Sequence, residues 1–138
     1  MLKRAYEKPS RSDGLRVLVE RLWPRGLTKE AARISLWTKE LAPSTELRRW
    51  FHARPTMWRP FRQRYLEELR APGAQQPLQQ LYDLLAEGKT FTLIFASRDT
   101  KHNSAVVLKE LLEGARKPPS SSGPAKAAPV PMRARARR

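Results

Sequence analysis

"RVLVERLWPRG", residues 16–26, decides how this chain is built. Val17, Leu18 and Val19 follow one another without a polar break, and Leu22 with Trp23 carries the apolar character on to residue 23. A second stretch of the same kind, "TFTLIFAS", occupies residues 90–97. Both are short and rich in β-branched and aromatic side chains, which suit a pleated surface, so both predict strands. A strand with one wet face alternates apolar and polar residues. Near-continuity predicts burial on both faces, the condition of a strand in a parallel sheet covered by helices. A shorter strand is predicted around "LKRAYE", residues 2–7, closed off by the turn residues Ser12, Asp13 and Gly14.

The stretches between the strands have helical spacing. "PSTELRRWF" offers Ser44 and Thr45 as caps and Glu46 in the first turn, then sets Leu47, Trp50 and Phe51 on one face. "WRPFRQRYLEELR" aligns Trp58, Phe61, Tyr65 and Leu69, with Arg59, Arg62, Glu67 and Arg70 elsewhere around the helix. A third helix carries Leu78, Leu81, Tyr82 and Leu85 and ends near Gly88; a fourth carries Val107, Leu108, Leu111 and Leu112 and ends near Gly114. At these spacings Trp50 and Trp58 are packing residues. The order of strand, helices, strand and helix predicts an α/β fold: a small, mostly parallel sheet covered by helices in a three-layer-like arrangement.

In open α/β sheets ligands collect beyond the carboxyl ends of parallel strands, where loops leave the sheet and helix amino termini present free N–H groups. If the two main strands are parallel, "ERLWPRG" and "SRDTKHN" meet at one edge and gather Glu20, Arg21, Trp23, Arg25, Ser97, Arg98, Asp99, Lys101, His102 and Asn103. Arg21 and Arg25 carry planar forks suited to phosphate or carboxylate, and Trp23 a flat face that either walls a site or packs. Glu20 or Asp99 would orient the forks. Asp99 or Thr100 is expected to cap the last helix, with Asn103 in its first turn and Lys101 and His102 facing the anion that amino terminus attracts. The ligand-binding set expected on these grounds is Arg21, Trp23, Arg25, Ser97, Asp99, Lys101, His102 and Asn103, with Glu20 in an orienting role. Ser97, His102 and Asp99 also suggest a hydrolase, but the glycines of a strained nucleophile turn are missing. A helix-turn-helix reader around residues 27–51 is disfavoured because Trp37 and Pro43 interrupt the pattern.

The 138 residues are 40% apolar and carry a formal charge of +15, from 28 Lys and Arg against 13 Asp and Glu. Residues 117–138, "KPPSSSGPAKAAPVPMRARARR", hold six of the basic residues and no acidic one, which leaves 22 basic against 13 acidic, +9, on residues 1–116. The expectation is one α/β domain over residues 1–116 followed by a disordered basic tail. Such a field favours an anionic small molecule or nucleic acid as partner. With no cysteine and only His52 and His102 as histidines, no metal is expected, and disulfides and thiol nucleophiles are excluded. The amino end lacks a signal-peptide run and no stretch is long and apolar enough to span a membrane, so a cytoplasmic location is expected.

The motifs "DGLRVLVERLWPRGLTKE", "W.KELAPS.ELR.WF", "F..RYL.EL" and "TLIFASRDTKHNSAVVLKELL" together resemble the YeaO-like branch of the bacterial family called domain of unknown function 488, DUF488. The resemblance covers about residues 4–113. It implies a compact cytosolic α/β domain, with Arg21, Trp23, Pro24, Arg25 and Gly26 in the first signature and Asp99 and Asn103 in the last; it brings no cofactor. Two departures stand out. Position 20 is usually aspartate in the branch and is Glu20 here, and the cysteine that larger relatives carry near the start of the last helix has no counterpart.

Overall fold

The two main strands lie side by side and point the same way. The structure is a computed structural model that describes residues 1–116; the basic segment 117–138, expected to be disordered, lies outside the described residues. The sheet has four strands, β1 (Leu2–Arg4), β2 (Leu15–Leu18), β3 (Leu36–Trp37) and β4 (Phe91–Phe95), in the order β1-β4-β2-β3. Every pairing is parallel, with Val17 opposite Leu93 in the central pair and Leu2 opposite Leu93 on the other side. The predicted strand over residues 16–23 stops at Leu18 because the chain turns its polar residues to new partners, and β3 was not expected. The helices are α1 (Lys29–Ala32), α2 (Thr45–Ala53), α3 (Trp58–Leu69), α4 (Pro72–Ala86) and α5 (Ser104–Arg116). The last runs past Gly114, where it was expected to end. Among the described residues no helix is long and apolar enough to cross a membrane.

Alternation along the strands divides the core in two. Val17, Val19, Leu93 and Phe95 face Leu47, Phe61, Tyr65, Leu69, Leu81 and Leu108 from α2 to α5. On the opposite face Leu18 and Ile94 are covered by Trp23, Leu27, Ile34 and Trp37, all supplied by the chain that runs from β2 through β3. The covering is therefore unequal, four helices against one loop-rich segment. An aromatic ladder stiffens the thick side: Phe51 stacks on Phe61 at 4.3 Å and Phe61 on Tyr65 at 6.0 Å.

At the amino ends of the strands a buried charge cluster replaces apolar packing. Arg16, only 3% exposed, bonds the Asp13 carboxylate at 2.7 Å and the Ala32 carbonyl at 2.8 Å. Lys3 reaches the same carboxylate at 3.0 Å. Burial alone would raise the Asp13 carboxyl, but hydrogen bonds from the Ser10 amide, Lys3, Arg16 and the Ser10 hydroxyl hold it well below the usual carboxylate range.

Candidate functional site

A fully parallel sheet puts all its carboxyl ends along one edge, and there the loops after β2 and β4 meet. Glu20 joins them: its carboxylate accepts the Ala96 N–H at 3.0 Å, and its own carbonyl accepts the Trp37 indole N–H at 2.6 Å. Burial pushes the Glu20 carboxyl up, against the pull of the Ala96 amide and the Arg48 charge. Beneath it Tyr65 is fully buried and donates its hydroxyl to the Leu41 carbonyl. Burial, together with the charges of Glu20 and Glu68, raises the Tyr65 phenol far above its ordinary value. Glu68 accepts the Ser44 amide at 2.8 Å and the Ser44 hydroxyl at 2.6 Å, while the same hydroxyl accepts the Leu47 N–H and so caps α2.

Arg21 turns its fork inward, to the Ala42 carbonyl at 3.0 Å and the Pro43 carbonyl at 3.2 Å. It pairs with neither Glu20 nor Asp99 and ties the β2 loop to the entry of α2. Trp23 packs edge-on against Trp37, with centroids 5.4 Å apart, and gives its indole N–H to the Leu27 carbonyl. Its ring belongs to the cover of the sheet. Arg25 is exposed, and its carbonyl accepts the Tyr6 hydroxyl at 3.0 Å. Tyr6 in turn lies under Arg4, whose guanidinium holds the Ser97 carbonyl at 2.9 Å and the Ala96 carbonyl at 3.2 Å. The chain Arg25, Tyr6, Arg4, Ser97 thus links the two loops on the β1 side.

In the β4–α5 loop Asp99 organises the backbone. One carboxylate oxygen accepts the Lys101 and His102 amides, each at 2.9 Å, and these two bonds hold its carboxyl below the usual range. Asn103, 6% exposed, is the residue that caps α5, accepting the Val106 N–H at 3.0 Å; Asp99 and Thr100 do not. Its amide donates to the Asp99 carbonyl at 2.8 Å. The Ser97 hydroxyl exchanges hydrogen bonds with the main chain of Asp99, and among the described residues none joins it to His102. A serine–histidine relay is therefore not assembled. His102 instead stands on Trp58 with ring centroids 4.8 Å apart, half-exposed.

The edge thus brings the two loops together and sorts the expected residues. Glu20, Arg21, Ser97, Asp99 and Asn103 are engaged with backbone groups, and Trp23 with apolar neighbours. Arg25, Lys101 and His102 stand at the surface, joined by Arg98. Arg25, Arg98 and Lys101 form no salt bridge among the described residues. Sequence reasoning missed Arg4, Tyr6, Tyr65 and Glu68 as parts of this edge. Their hydrogen-bond partners across the edge lie 19 to 93 positions away, so no local pattern signals them. Among the described residues no group of three or more His, Cys, Asp or Glu side chains is placed to hold a metal ion.

A family model described as the inactive DUF488-N3 subclade matches residues 1–130. The uncharacterized protein YeaO of Escherichia coli (strain K12) is 41% identical over 110 residues, covering 80% of this chain and 93% of that one. The uncharacterized protein Rv3073c of Mycobacterium tuberculosis (strain ATCC 25618 / H37Rv) is 40% identical over 111 residues, covering 80% and 91%. No solved structure shows a significant match.

Proposed function

This chain belongs to the DUF488 family, as a YeaO-like member matching its inactive DUF488-N3 subclade, and from that premise we propose that it binds rather than transforms its ligand, taking a phosphate-bearing anion at the carboxyl edge of the sheet. One observation carries the reading. Glu20 and one oxygen of Asp99 accept backbone amides, while the cations Arg25, Arg98 and Lys101 stand exposed on the two loops, the last two just ahead of the amino terminus of α5. Cations without carboxylate partners at a helix amino terminus attract an anion, and a guanidinium grips phosphate through parallel N–H groups.

Within this reading Arg25 and Lys101 contact the anion, and His102 lies at its rim. Arg21, Glu20, Ser97, Asp99 and Asn103 set the shape of the loops, and Trp23 closes the site from the sheet side. A catalytic alternative, an enzyme acting on a phosphorylated substrate, has less support. Its candidate acid or base Glu20 is bound to the Ala96 N–H, and His102, whose Nδ1 lies 3.8 Å from the Asp99 carboxylate, makes no hydrogen bond to the Ser97 hydroxyl among the described residues.

The test is calorimetric titration of AMP and orthophosphate into the full chain and into Arg25→Ala/Lys101→Ala. Loss of two charge-assisted contacts is expected to weaken AMP binding by about tenfold or more. Equal affinity in parent and variant, or no binding by the parent, refutes the site.

A further inference from the structure

The surface cations do not end at the loops. Trp58, on which His102 stands, opens α3, and from it a shallow furrow follows the helix, lined by Trp58, Arg59, Arg62, Gln63 and Leu66. Arg62 reaches across to Glu110 of α5 at 3.2 Å, so the furrow runs along the seam between the two helices. Arg59 and Gln63 sit one helical turn apart, both exposed, and Arg59 has no carboxylate partner among the described residues. Beneath lies a rigid aromatic bed, with Trp58 on Phe61 at 5.7 Å and on Phe51 at 5.9 Å. The result is a track from Lys101 and His102 at the sheet edge, past the Trp58 ring, to Arg59 and Arg62 on α3, bordered by the carboxylates of Asp99 and Glu110.

We propose that this track receives a single-stranded polynucleotide, one phosphate sitting at the sheet edge and the next ones following Arg59 and Arg62, while a base lies on the exposed side of His102. The proposal rests on the phosphate reading of the edge and extends it along α3. Sequence-tolerant recognition of single strands combines a positive groove that tracks the backbone with aromatic faces on which bases stack, and both are present here. A duplex keeps its bases stacked on one another and would leave the His102 face unused. The Arg62–Glu110 pair is exposed on both sides, so it holds Arg62 only weakly and yields it to a phosphate. The net charge of +9 on residues 1–116 draws the strand in but is not directional; the track supplies the direction.

The experiment is fluorescence anisotropy with labelled oligothymidylate, the full chain, and salt varied between about 50 and 200 mM. Arg59→Glu should weaken binding about tenfold and reduce the salt slope by about 0.7, the value of one phosphate contact on a single strand. His102→Ala should weaken binding about tenfold at every salt concentration with the slope unchanged, because stacking releases no counterions. Lys29→Glu makes the same charge change on α1, away from the track, and should bind within about twofold of the parent. Equal losses in Arg59→Glu and Lys29→Glu would assign the affinity to overall charge and overturn the track. So would a duplex of the same length bound as tightly, or no binding by the parent at low salt. AMP separates this inference from the edge site. AMP binding sensitive to Arg25→Ala, with oligothymidylate bound no tighter than AMP, sinks the track and keeps the edge. Oligonucleotide binding that responds to Arg59 and His102 in a protein blind to AMP keeps the track and sinks the edge.

Discussion

Two glycines with the same backbone sign differ in what surrounds them. Gly14 precedes β2 at φ 64°, and a Cβ there would fall 2.2 Å from the Thr90 carbonyl oxygen, the acceptor of the Leu15 amide. Gly26 adopts φ 76° with nothing within 4 Å of such a Cβ. Gly14→Ala should therefore cost roughly 2–5 kcal/mol, the left-handed penalty plus a clash with main chain, and Gly26→Ala only about 1–2 kcal/mol. Urea unfolding of both variants checks the order. Glu20 makes a different prediction. Burial raises its carboxyl, so the folded chain favours the protonated form; the stability it contributes is fully present at acid pH and is lost as pH rises from the ordinary carboxylate range through the raised value. Glu20→Gln keeps an oxygen for the Ala96 amide and removes the buried charge. The variant should match or exceed the parent in urea at neutral pH, with the difference closing as the solution is acidified. A loss above about 1 kcal/mol would mean that the charge itself holds the loop. Asp13 has the opposite sign: its stabilisation holds above the usual carboxylate range and is lost only in strong acid.

At the scale of elements, what the sequence announces depends on length. The helices α2 to α5 run to between 9 and 15 residues and repeat their apolar residues at helical spacing, so they were legible; β2 and β4 were legible from their unbroken apolar cores. β3 has two residues and α1 four, too few for any period to show. Caps are harder still. In "SRDTKHNS" several side chains have the chemistry of a cap, and only the folded loop selects Asn103, because Asp99 is drawn to the amides of Lys101 and His102. Asn103→Ala should cost about 1 kcal/mol and fray the first turn of α5, visible as a lowered denaturation midpoint and loss of helical signals around Ser104 and Ala105. The meeting of the two loops followed from parallel strands alone. The role of Arg21 did not: its acceptors, Ala42 and Pro43, are 21 and 22 residues away and carry no side-chain signal of that use.

Over the whole molecule, positive charge was legible from composition, but not its distribution among paired and unpaired side chains. The formal +15 reduces at the sheet edge and along α3 to a few side chains that lack carboxylate partners, which sequence counting does not distinguish from those already paired. The unequal dressing of the sheet also matters for how the fold opens. One face is sealed by α2 to α5, whereas the other depends on Trp23, Leu27, Ile34 and Trp37 from a single segment. Amides whose acceptors lie under that segment, such as Ser35 on the Arg16 carbonyl and Thr38 on the Leu18 carbonyl, should exchange with deuterium well before Val19 on the Ile94 carbonyl and Leu93 on the Met1 carbonyl. Partial unfolding of this protein would then begin by peeling away one flank as a unit, leaving β1, β2 and β4 seated on their helices.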